Sequence, residues 1–353
     1  MHIRTCRRTA WRLAACHLAA LALMLLALRP GIAQVGGPEV KWDLAAFVGA
    51  SSASIAYEEM AKQMAAETNG RFKIVMHWSE ALVPARTAID GLKVGAFEMA
   101  LIASSFHPGK TPTLNALDLP FLPLQDLNVQ AKVMLAFYKL PEVDSDTARW
   151  DMLPFVPIIL PQYELMGKGE APKDLAALAG KRIRAPGGLG KALGRIGVVP
   201  TTVASPEIHG AVERGILDAV SLGHASFKFH RLQDLCQWYT ANLSLGIVSS
   251  TVGVNRTAWN RLPVGYQDLM QRALRKGLDV QIVKYDETEE EARQTFRAKG
   301  LKEVRFGAAE METFVELAGR PVWEDWIKEM EAAGYPGRRL VEFILAESKR
   351  AGS

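Results

Sequence analysis

The chain has 353 residues, of which 49% are hydrophobic and 23% are charged, and its formal net charge is +4. This length is sufficient for two lobes with cores of their own and too short for several large domains. The five arginines of residues 1–33, a segment without acidic residues, account for more than the whole net charge. The rest of the chain is therefore close to neutral, which argues against nucleic acid as a partner.

Residues 1–33 are typical of a cleaved secretory signal peptide. Arginines come first, and the run 18–28 is almost wholly apolar but too short to span a bilayer comfortably. Small residues ending at Ala33 would allow cleavage before Gln34. We therefore expect export to the periplasm, by the general or the twin-arginine route. A retained membrane anchor is the alternative.

The remaining chain alternates helical and strand patterns, which is typical of an α/β protein. A serine at position 51 or 52 can cap a first helix, in which Ala56, Met60 and Met64 recur at helical spacing. The further elements predicted for this part are a strand at 71–78, a helix at 84–94, a strand at 97–103, a helix at 126–140 and a strand at 155–160.

A second unit is predicted from residue 161 onwards. Its elements are a helical turn at 174–178, a strand at 181–185, a helix at 189–196, a helix capped by Ser205 and ended by Gly215, and strands at 217–222 and 244–254. Residues 263–299 then carry a helical pattern that is long enough to bridge two lobes. Two helices kinked near Gly277 are the alternative.

These elements predict a two-lobe periplasmic binding protein fold of the α/β class, type II-like, with the long helix bridging both lobes. We expect one lobe to comprise 41–160 plus 248–288 and the other 161–247 plus 289–335, with 336–353 as a C-terminal helix or tail. No flexible linker separates the lobes in the sequence, so ordered segments should join them.

Catalytic motifs are scarce in this chain. It lacks a phosphate-binding glycine loop, a dinucleotide fingerprint and a nucleophile elbow. The five histidines after residue 33 are scattered, without metal-ligand spacing. Cys236 is the sole cysteine outside the leader, and we expect a buried structural thiol there. No catalytic site, cofactor or metal is therefore predicted.

One segment does suggest binding chemistry, the run GKRIRAP at 180–186. Arg184 ends the predicted strand just before a glycine-rich turn and a helix start. A guanidinium in that position can hold a carboxylate through two hydrogen bonds, and the dipole of the helix start would favour the same anion. A surface or salt-bridge arginine is the alternative interpretation.

The run 179–218 resembles the solute-binding proteins of tripartite ATP-independent periplasmic (TRAP) transporters, C4-dicarboxylate-binding type. The strand GKRIRAP, the turn GVVP at 197–200 and the segment EIHGAVERGILDA at 207–219 follow one another in the family's order. The segment NRTAWNRLP at 255–263 is similar to the family's entry into a long helix.

This resemblance implies two α/β lobes around a cleft, an arginine at position 184 that pairs with the carboxylate of a small organic acid, and delivery to a membrane permease driven by an ion gradient. The chain departs from the family at His209, where a tyrosine is usual. Leu222 stands where some sialic-acid-binding members carry asparagine, which argues against a sugar acid.

The ligand pocket is expected at the strand-to-helix turns that face the cleft. The predicted ligand-binding residues are Arg184, Phe47, Trp78, Ser104, Ser105, Ser205, Leu222, His224 and Ser249, with Ser250 as an alternative to Ser249. Their apolar and aromatic members could stack on a ring, so the ligand is expected to be a monocarboxylate or dicarboxylate, with an aromatic acid among the options. An exported enzyme acting on a small carboxylate and a ligand-sensing partner of a membrane receptor are the alternative functions.

Overall fold

The computed structural model describes residues 34–107 and 109–353. The signal peptide predicted for residues 1–33 lies outside the described residues. The strands are β1 (Val40–Ala45), β2 (Phe72–His77), β3 (Met99–Ala103), β4 (Met152–Pro157), β5 (Glu164–Gly167), β6 (Arg182–Arg184), β7 (Val199–Thr201), β8 (Ala219–Leu222), β9 (Trp238–Thr240), β10 (Ser250–Asn255) and β11 (Lys302–Val304).

Helices cover most of the remaining described chain, together with short 3₁₀ turns. They are α1 (Ile55–Glu67), α2 (Ala88–Lys93), α3 (Leu127–Phe137), α4 (Pro141–Ala148), α5 (Gly187–Gly194), α6 (Ile208–Glu213), α7 (His224–Phe229), α8 (Arg256–Asn260), α9 (Val264–Ala298), α10 (Ala308–Ala318), α11 (Arg320–Ala332) and α12 (Gly337–Gly352). None of these described helices is long and apolar enough to cross a membrane.

The strands form two separate sheets, each the centre of one lobe. Lobe I has the order β2-β1-β3-β10-β4, with β1, β2 and β3 parallel and β10 antiparallel to both of its neighbours. Lobe II has the order β11-β9-β5-β8-β6-β7. The predicted two-lobe α/β architecture is thereby confirmed, while the residue limits proposed for each lobe stay a prediction.

The first helix forms as its sequence pattern predicts. The Ser51 side chain accepts a hydrogen bond from the Ala53 amide and caps a 3₁₀ turn that continues into α1. Ala56, Met60 and Met64 are fully buried on one face of α1. Local capping and periodic burial therefore agree in this element.

The long helix α9 runs without interruption for 35 residues, so the alternative of two kinked helices is wrong. Gly277 marks a close approach of two helices instead of a break. A Cβ atom at Gly277 would stand 2.3 Å from the carbonyl oxygen of Ala56. A glycine costs helix stability, but here it lets α1 pack directly against α9.

Helix α9 contacts both lobes. The Gln281 Nε2 atom donates to the carbonyl oxygens of Ser52 and Ala53 in lobe I, at 3.1 and 3.2 Å. Two turns further on, Glu289 accepts a hydrogen bond from the Ala225 amide of lobe II at 2.8 Å. The prediction of a helix that bridges the lobes is confirmed.

Two local predictions need correction. Ser205 does not cap the helix that follows it, because Ala204 occupies the cap position and the Ser205 hydroxyl contacts His230 instead. The return strand β10 begins at Ser250, because residues 244–249 pass between the lobes and pair with neither sheet. Helix α4 was not predicted, since it is short, polar and begins with a proline.

Candidate functional site

A cavity of about 110 Å³ lies between the lobes. It forms where the carboxyl ends of β1, β3, β6 and β8 meet, the edge at which α/β sheets commonly bind ligands. Its lining residues are Phe47, Val48, Ser51, Ser52, Ala53, Leu101, Ala103, Phe106, Ile158, Leu160, Tyr163, Arg184, Ser205, Leu222, Ala225, Ser226, Phe229, His230, Val248 and Ser250. We call this space the interlobe cavity.

Arg184 supplies the charge of the interlobe cavity. Its side chain is 4% exposed, and it donates from Nε to the Val203 carbonyl and from Nη1 to the Ser221 carbonyl, both at 3.3 Å. Within the described chain no carboxylate pairs with it. Burial lowers the pKa of Arg184, yet a guanidinium stays protonated in proteins. The cavity therefore contains a buried cation whose remaining N–H groups are available to an anion.

The groups around Arg184 are polar but uncharged at neutral pH. The Ser205 hydroxyl lies 3.1 Å from His230 Nε2. Burial lowers the pKa of His230 to about 4, and the charges of Arg184 and His209 act in the same direction. Burial also raises the pKa of Tyr163 to about 12. An anion bound at Arg184 would therefore meet neutral hydrogen-bonding groups and no competing negative charge.

The lobe I wall of the interlobe cavity is apolar. The rings of Phe47 and Phe106 pack edge to face with centroids 5.7 Å apart. Leu101 from β3 adds aliphatic surface to this wall, and Leu222 from β8 of lobe II lines the same cavity. Such a wall favours an apolar or aromatic ligand body, because hydroxyl groups placed against it would lose their hydrogen bonds to water.

Four of the predicted ligand-binding residues line the interlobe cavity: Phe47, Arg184, Ser205 and Leu222. Five do not: Trp78, Ser104, Ser105, His224 and Ser249. Ser250, the first residue of β10, lines the cavity in place of its neighbour Ser249, which precedes the strand and is held by Asp118.

Ser104 and Ser249 are engaged by a buried acid, Asp118. The Ser249 amide donates to Asp118 Oδ1, and Ser104 Oγ lies 2.8 Å from Asp118 Oδ2 and 3.0 Å from the Ser249 carbonyl oxygen. A hydroxyl has one hydrogen to donate, and a carbonyl oxygen can only accept. Both Ser104 contacts are therefore hydrogen bonds only if Asp118 carries a proton. Burial raises the pKa of Asp118 to about 7, against the opposing effect of these hydrogen bonds.

The start of helix α5, which was expected to face the ligand, packs against Asp118 instead. A Cβ atom at Gly188 would lie 2.4 Å from the Asp118 carbonyl oxygen, so this glycine is needed for contact between the lobes. The first turn of α5 borders a second cavity, shared with Ser105 and Asp118, and not the interlobe cavity. The predicted contribution of this helix dipole to ligand binding is therefore not supported by its position.

Trp78 and His224 have structural partners elsewhere. The Trp78 ring packs against Tyr57 with centroids 6.1 Å apart. His224 contacts a Glu289 carboxylate oxygen through Nδ1 at 3.0 Å and the Thr240 carbonyl oxygen through Nε2 at 2.9 Å. Burial alone would lower the pKa of His224, but the hydrogen bond and charge of Glu289 outweigh burial and the pKa is raised. His224 therefore joins α9 to the start of α7 as a charged pair.

Sequence reasoning missed Tyr163, Phe229 and His230 as cavity residues. Tyr163 precedes β5 in a loop, and Phe229 and His230 end a helix of only six residues. Neither position has a local sequence signal, because the packing of segments that are distant in the chain brings these residues to the cavity. Phe106 lies in a turn that was expected to face the cleft, and it does so.

The described residues offer little for catalysis. Burial raises the pKa of Cys236 to about 12, and this buried thiol fits the expected structural role. Ser205 and His230 resemble a nucleophile and its base, but no acid orients His230 in the described structure, and its lowered pKa makes it a weak base. No cluster of three or more metal-ligating side chains occurs among the described residues.

The family model for bacterial extracellular solute-binding proteins, family 7, matches residues 49–153 and 165–329, well over half of the chain. The chain belongs to this family. The resemblance to TRAP solute-binding proteins inferred from the sequence is thereby confirmed, and proteins of this family reside in the periplasm.

Similar proteins include a monocarboxylate 2-oxoacid-binding periplasmic protein of Nostoc sp., which is 28% identical over 83% of this solute-binding protein and 85% of the relative. A marine metagenome TRAP solute-binding protein specific for aromatic acids, solved with 3-hydroxybenzoate, has a TM-score of 0.78 at 20% identity, over 90% of this chain and 100% of that one. A Rhodoferax ferrireducens TRAP solute-binding protein with copurified benzoate has the same TM-score at 18% identity, over 89% and 98% of the two chains. At these identities the two structures establish the fold.

Proposed function

We propose that this protein is the periplasmic receptor of a TRAP transporter and that it captures a small apolar monocarboxylate, preferably one with a single ring. Arg184 binds the carboxylate, and the lobe I wall encloses the rest of the molecule. The observation that carries this proposal is a buried, permanently charged arginine that has no acidic partner among the described residues, in a cavity whose lobe I wall is apolar.

The number of charges supports one carboxylate over two. Among the described residues that line the interlobe cavity, Arg184 is the only permanent cation, and His230 is neutral at pH 7. A second buried carboxylate would remain unpaired, at a cost of several kcal/mol. Dicarboxylates should therefore bind much more weakly than monocarboxylates of similar size.

The size and polarity of the interlobe cavity narrow the ligand further. An apolar cavity of about 150 Å³ accepts benzene, so a space of about 110 Å³ admits a short branched chain, or at most one ring that extends toward solvent. A uronic acid would place several hydroxyl groups against Phe47, Phe106 and Leu101, where they would lack partners. The aromatic acids and 2-oxoacid bound by the relatives are of the expected size.

A thermal-shift panel tests this function. Benzoate, cyclohexanecarboxylate and a branched 2-oxo monocarboxylate should raise the melting temperature, because they bind only the folded state. Benzamide has the ring of benzoate without its charge and should fail, as should succinate and glucuronate. A larger shift with succinate than with any monocarboxylate would overturn the proposed ligand class.

The role of the receptor needs three further measurements. Incubation with the best acid, followed by chromatography, should return the acid unchanged, whereas an enzyme would consume it. Mass spectrometry of the periplasmic protein should find a start at or near Gln34, and an intact Met1 would argue against export by cleavage. Ligand transport in membranes that contain the permease would distinguish delivery from ligand sensing.

A further inference from the structure

We infer that Phe229 is the gate of the interlobe cavity: its ring, carried by lobe II, closes the mouth against Gly49 of lobe I and so controls how fast a bound ligand escapes. This inference rests on the proposed function, because a gate needs a ligand to retain. It assigns to Phe229 a kinetic role that is separate from the anchoring role of Arg184.

The first observation is exposure. Among the described residues that line the interlobe cavity, Phe229 is the one large apolar side chain that is strongly exposed, at 44%. Arg184 and Leu222, at the inner end, are 4% and 5% exposed. A side chain that borders both the cavity and the solvent lies at the mouth. Phe229 therefore marks where the interlobe cavity opens.

The second observation is the partner across the mouth. A Cβ atom built on Gly49 would lie 3.5 Å from Phe229 Cζ and 3.8 Å from Ser79 Oγ. Gly49 follows Phe47 and Val48, which belong to the lobe I wall. The gap between the lobes is thus bridged at this point by an aromatic ring meeting a residue without a side chain. A larger residue at position 49 would meet the ring before the lobes had closed.

The third observation is how Phe229 is held in lobe II. Phe229 ends helix α7, whose first residues are held to α9 by the contacts of Glu289 with His224 and Ala225. The Phe229 ring packs edge to face on His230, with centroids 5.1 Å apart. The base of the helix is therefore fixed to the rest of lobe II, while the ring stands at the end of the helix with His230 beside it. Opening the mouth requires the lobes to separate or this ring to rotate.

Stopped-flow binding of the best monocarboxylate tests the gate. Phe229→Ala should raise the dissociation rate about tenfold and change the association rate less than threefold, because a seal acts mainly after the ligand has entered. Phe229→Leu should recover part of the loss. Leu317→Ala removes an apolar side chain that is also 44% exposed but lies outside the cavity, so both rates should stay within about twofold.

A double-mutant cycle separates a gate from a simple ligand contact. Gly49→Leu alone should raise the dissociation constant about tenfold, because the new side chain blocks closure on Phe229. In the Phe229→Ala background the same change should cost less than threefold. Equal effects in both backgrounds, or an unchanged dissociation rate in Phe229→Ala, would overturn the gate and leave the proposed function standing. If no carboxylate bound the wild type, both inferences would be wrong.

Discussion

Arg184 and Asp118 are both ionisable side chains buried where the two lobes meet, but they are stabilised in different ways. Arg184 is 4% exposed and has only backbone carbonyl groups for partners in the described structure. Asp118 is 2% exposed, and Ser104 and Ser249 occupy its two oxygens. An acid can lose its charge by binding a proton, but a guanidinium cannot lose its proton.

The difference shows why burial alone does not identify a binding site. Asp118 is stabilised by protonation and by its hydrogen bonds with Ser104 and Ser249, so it needs no ligand. Arg184 keeps its charge in a cavity whose other described lining residues are uncharged at neutral pH, so an external anion can pair with it. A ligand site is therefore indicated by a buried charge that cannot neutralise itself.

The largest expected effect comes from removing the charge that needs a ligand. Arg184→Ala should cost on the order of 3–5 kcal/mol of binding free energy, a few hundred- to several thousand-fold in affinity, because the bound carboxylate would be left buried and unpaired. Arg184→Lys should recover only part, since an ammonium group lacks the planar fork. Calorimetry on the folded variants measures both. Binding of Arg184→Ala within about threefold of wild type would place the anchor elsewhere.

The second-largest effect is expected on the pH dependence of stability, and it comes from Asp118, which can bind a proton and lose its charge. Folded Asp118 keeps its proton up to a pKa of about 7, while the unfolded state loses it near 3.8, so rising pH between these values favours unfolding. Asp118→Asn mimics the protonated acid and so removes the pH dependence that Asp118 gives to the free energy of unfolding. The stability of wild type relative to the variant should therefore fall by about 1.4 kcal/mol per pH unit between pH 4 and 7.

Denaturant unfolding of both proteins at several pH values measures this difference. Burial lowers the pKa of His107 and of His230 to about 4, which acts in the opposite direction, since the unfolded state takes up protons between pH 6.5 and 4. That contribution is common to both proteins and cancels in the comparison. A stability difference that is constant from pH 4 to 7 would mean that folded Asp118 is ionised.

A smaller effect on affinity tests whether the lobe I wall contacts the ligand whose carboxylate Arg184 binds. Phe106→Ala should weaken binding of a benzoate-sized acid about tenfold, from lost ring contact of about 1.4 kcal/mol. A short aliphatic acid should lose less than threefold, because it does not reach the ring. Trp78→Phe is the control, since Trp78 packs on Tyr57 outside the cavity. Equal losses for both acids would mean that Phe106 shapes the site without contacting the ligand.

The smallest effect should come from the neighbouring arginine. Arg182 is exposed and forms two hydrogen bonds with the Asp218 carboxylate, at 3.1 and 2.7 Å. An exposed pair of this kind contributes little to stability, so Arg182→Ala should leave ligand affinity within about twofold and stability nearly unchanged. A loss of affinity comparable to that of Arg184→Ala would show that general positive charge, and not one placed guanidinium, attracts the acid.

The sequence was sufficient for features that depend on local pattern. The cap at Ser51, the buried face of α1 and the position of Arg184 at a strand end all follow from residues within a few positions of one another. The long helix was also predicted from its local pattern. What the pattern could not decide was the role of Gly277, which allows the close approach of a neighbouring helix.

Features that depend on distant partners could not be predicted in this way. Ser104 and Ser249 were expected to bind ligand, but Asp118 holds them, and it lies 131 residues from Ser249. The start of α5 faces Asp118 because the lobes meet there, which no local pattern records. Phe229 and His230 join the site through packing within lobe II, where His230 lies beside Ser205, 25 residues away in the chain.

The contacts of α9 fix how the cleft can move. Gln281 holds the lobe I wall and Glu289 holds the lobe II wall, and eight residues of helix place these attachments about 12 Å apart. A continuous helix does not stretch, so the rear of the cleft keeps a constant width whatever the mouth does. The lobes can then only swing about this rod. We expect acids that match its span to be enclosed completely and wider acids to hold the mouth of the cleft open.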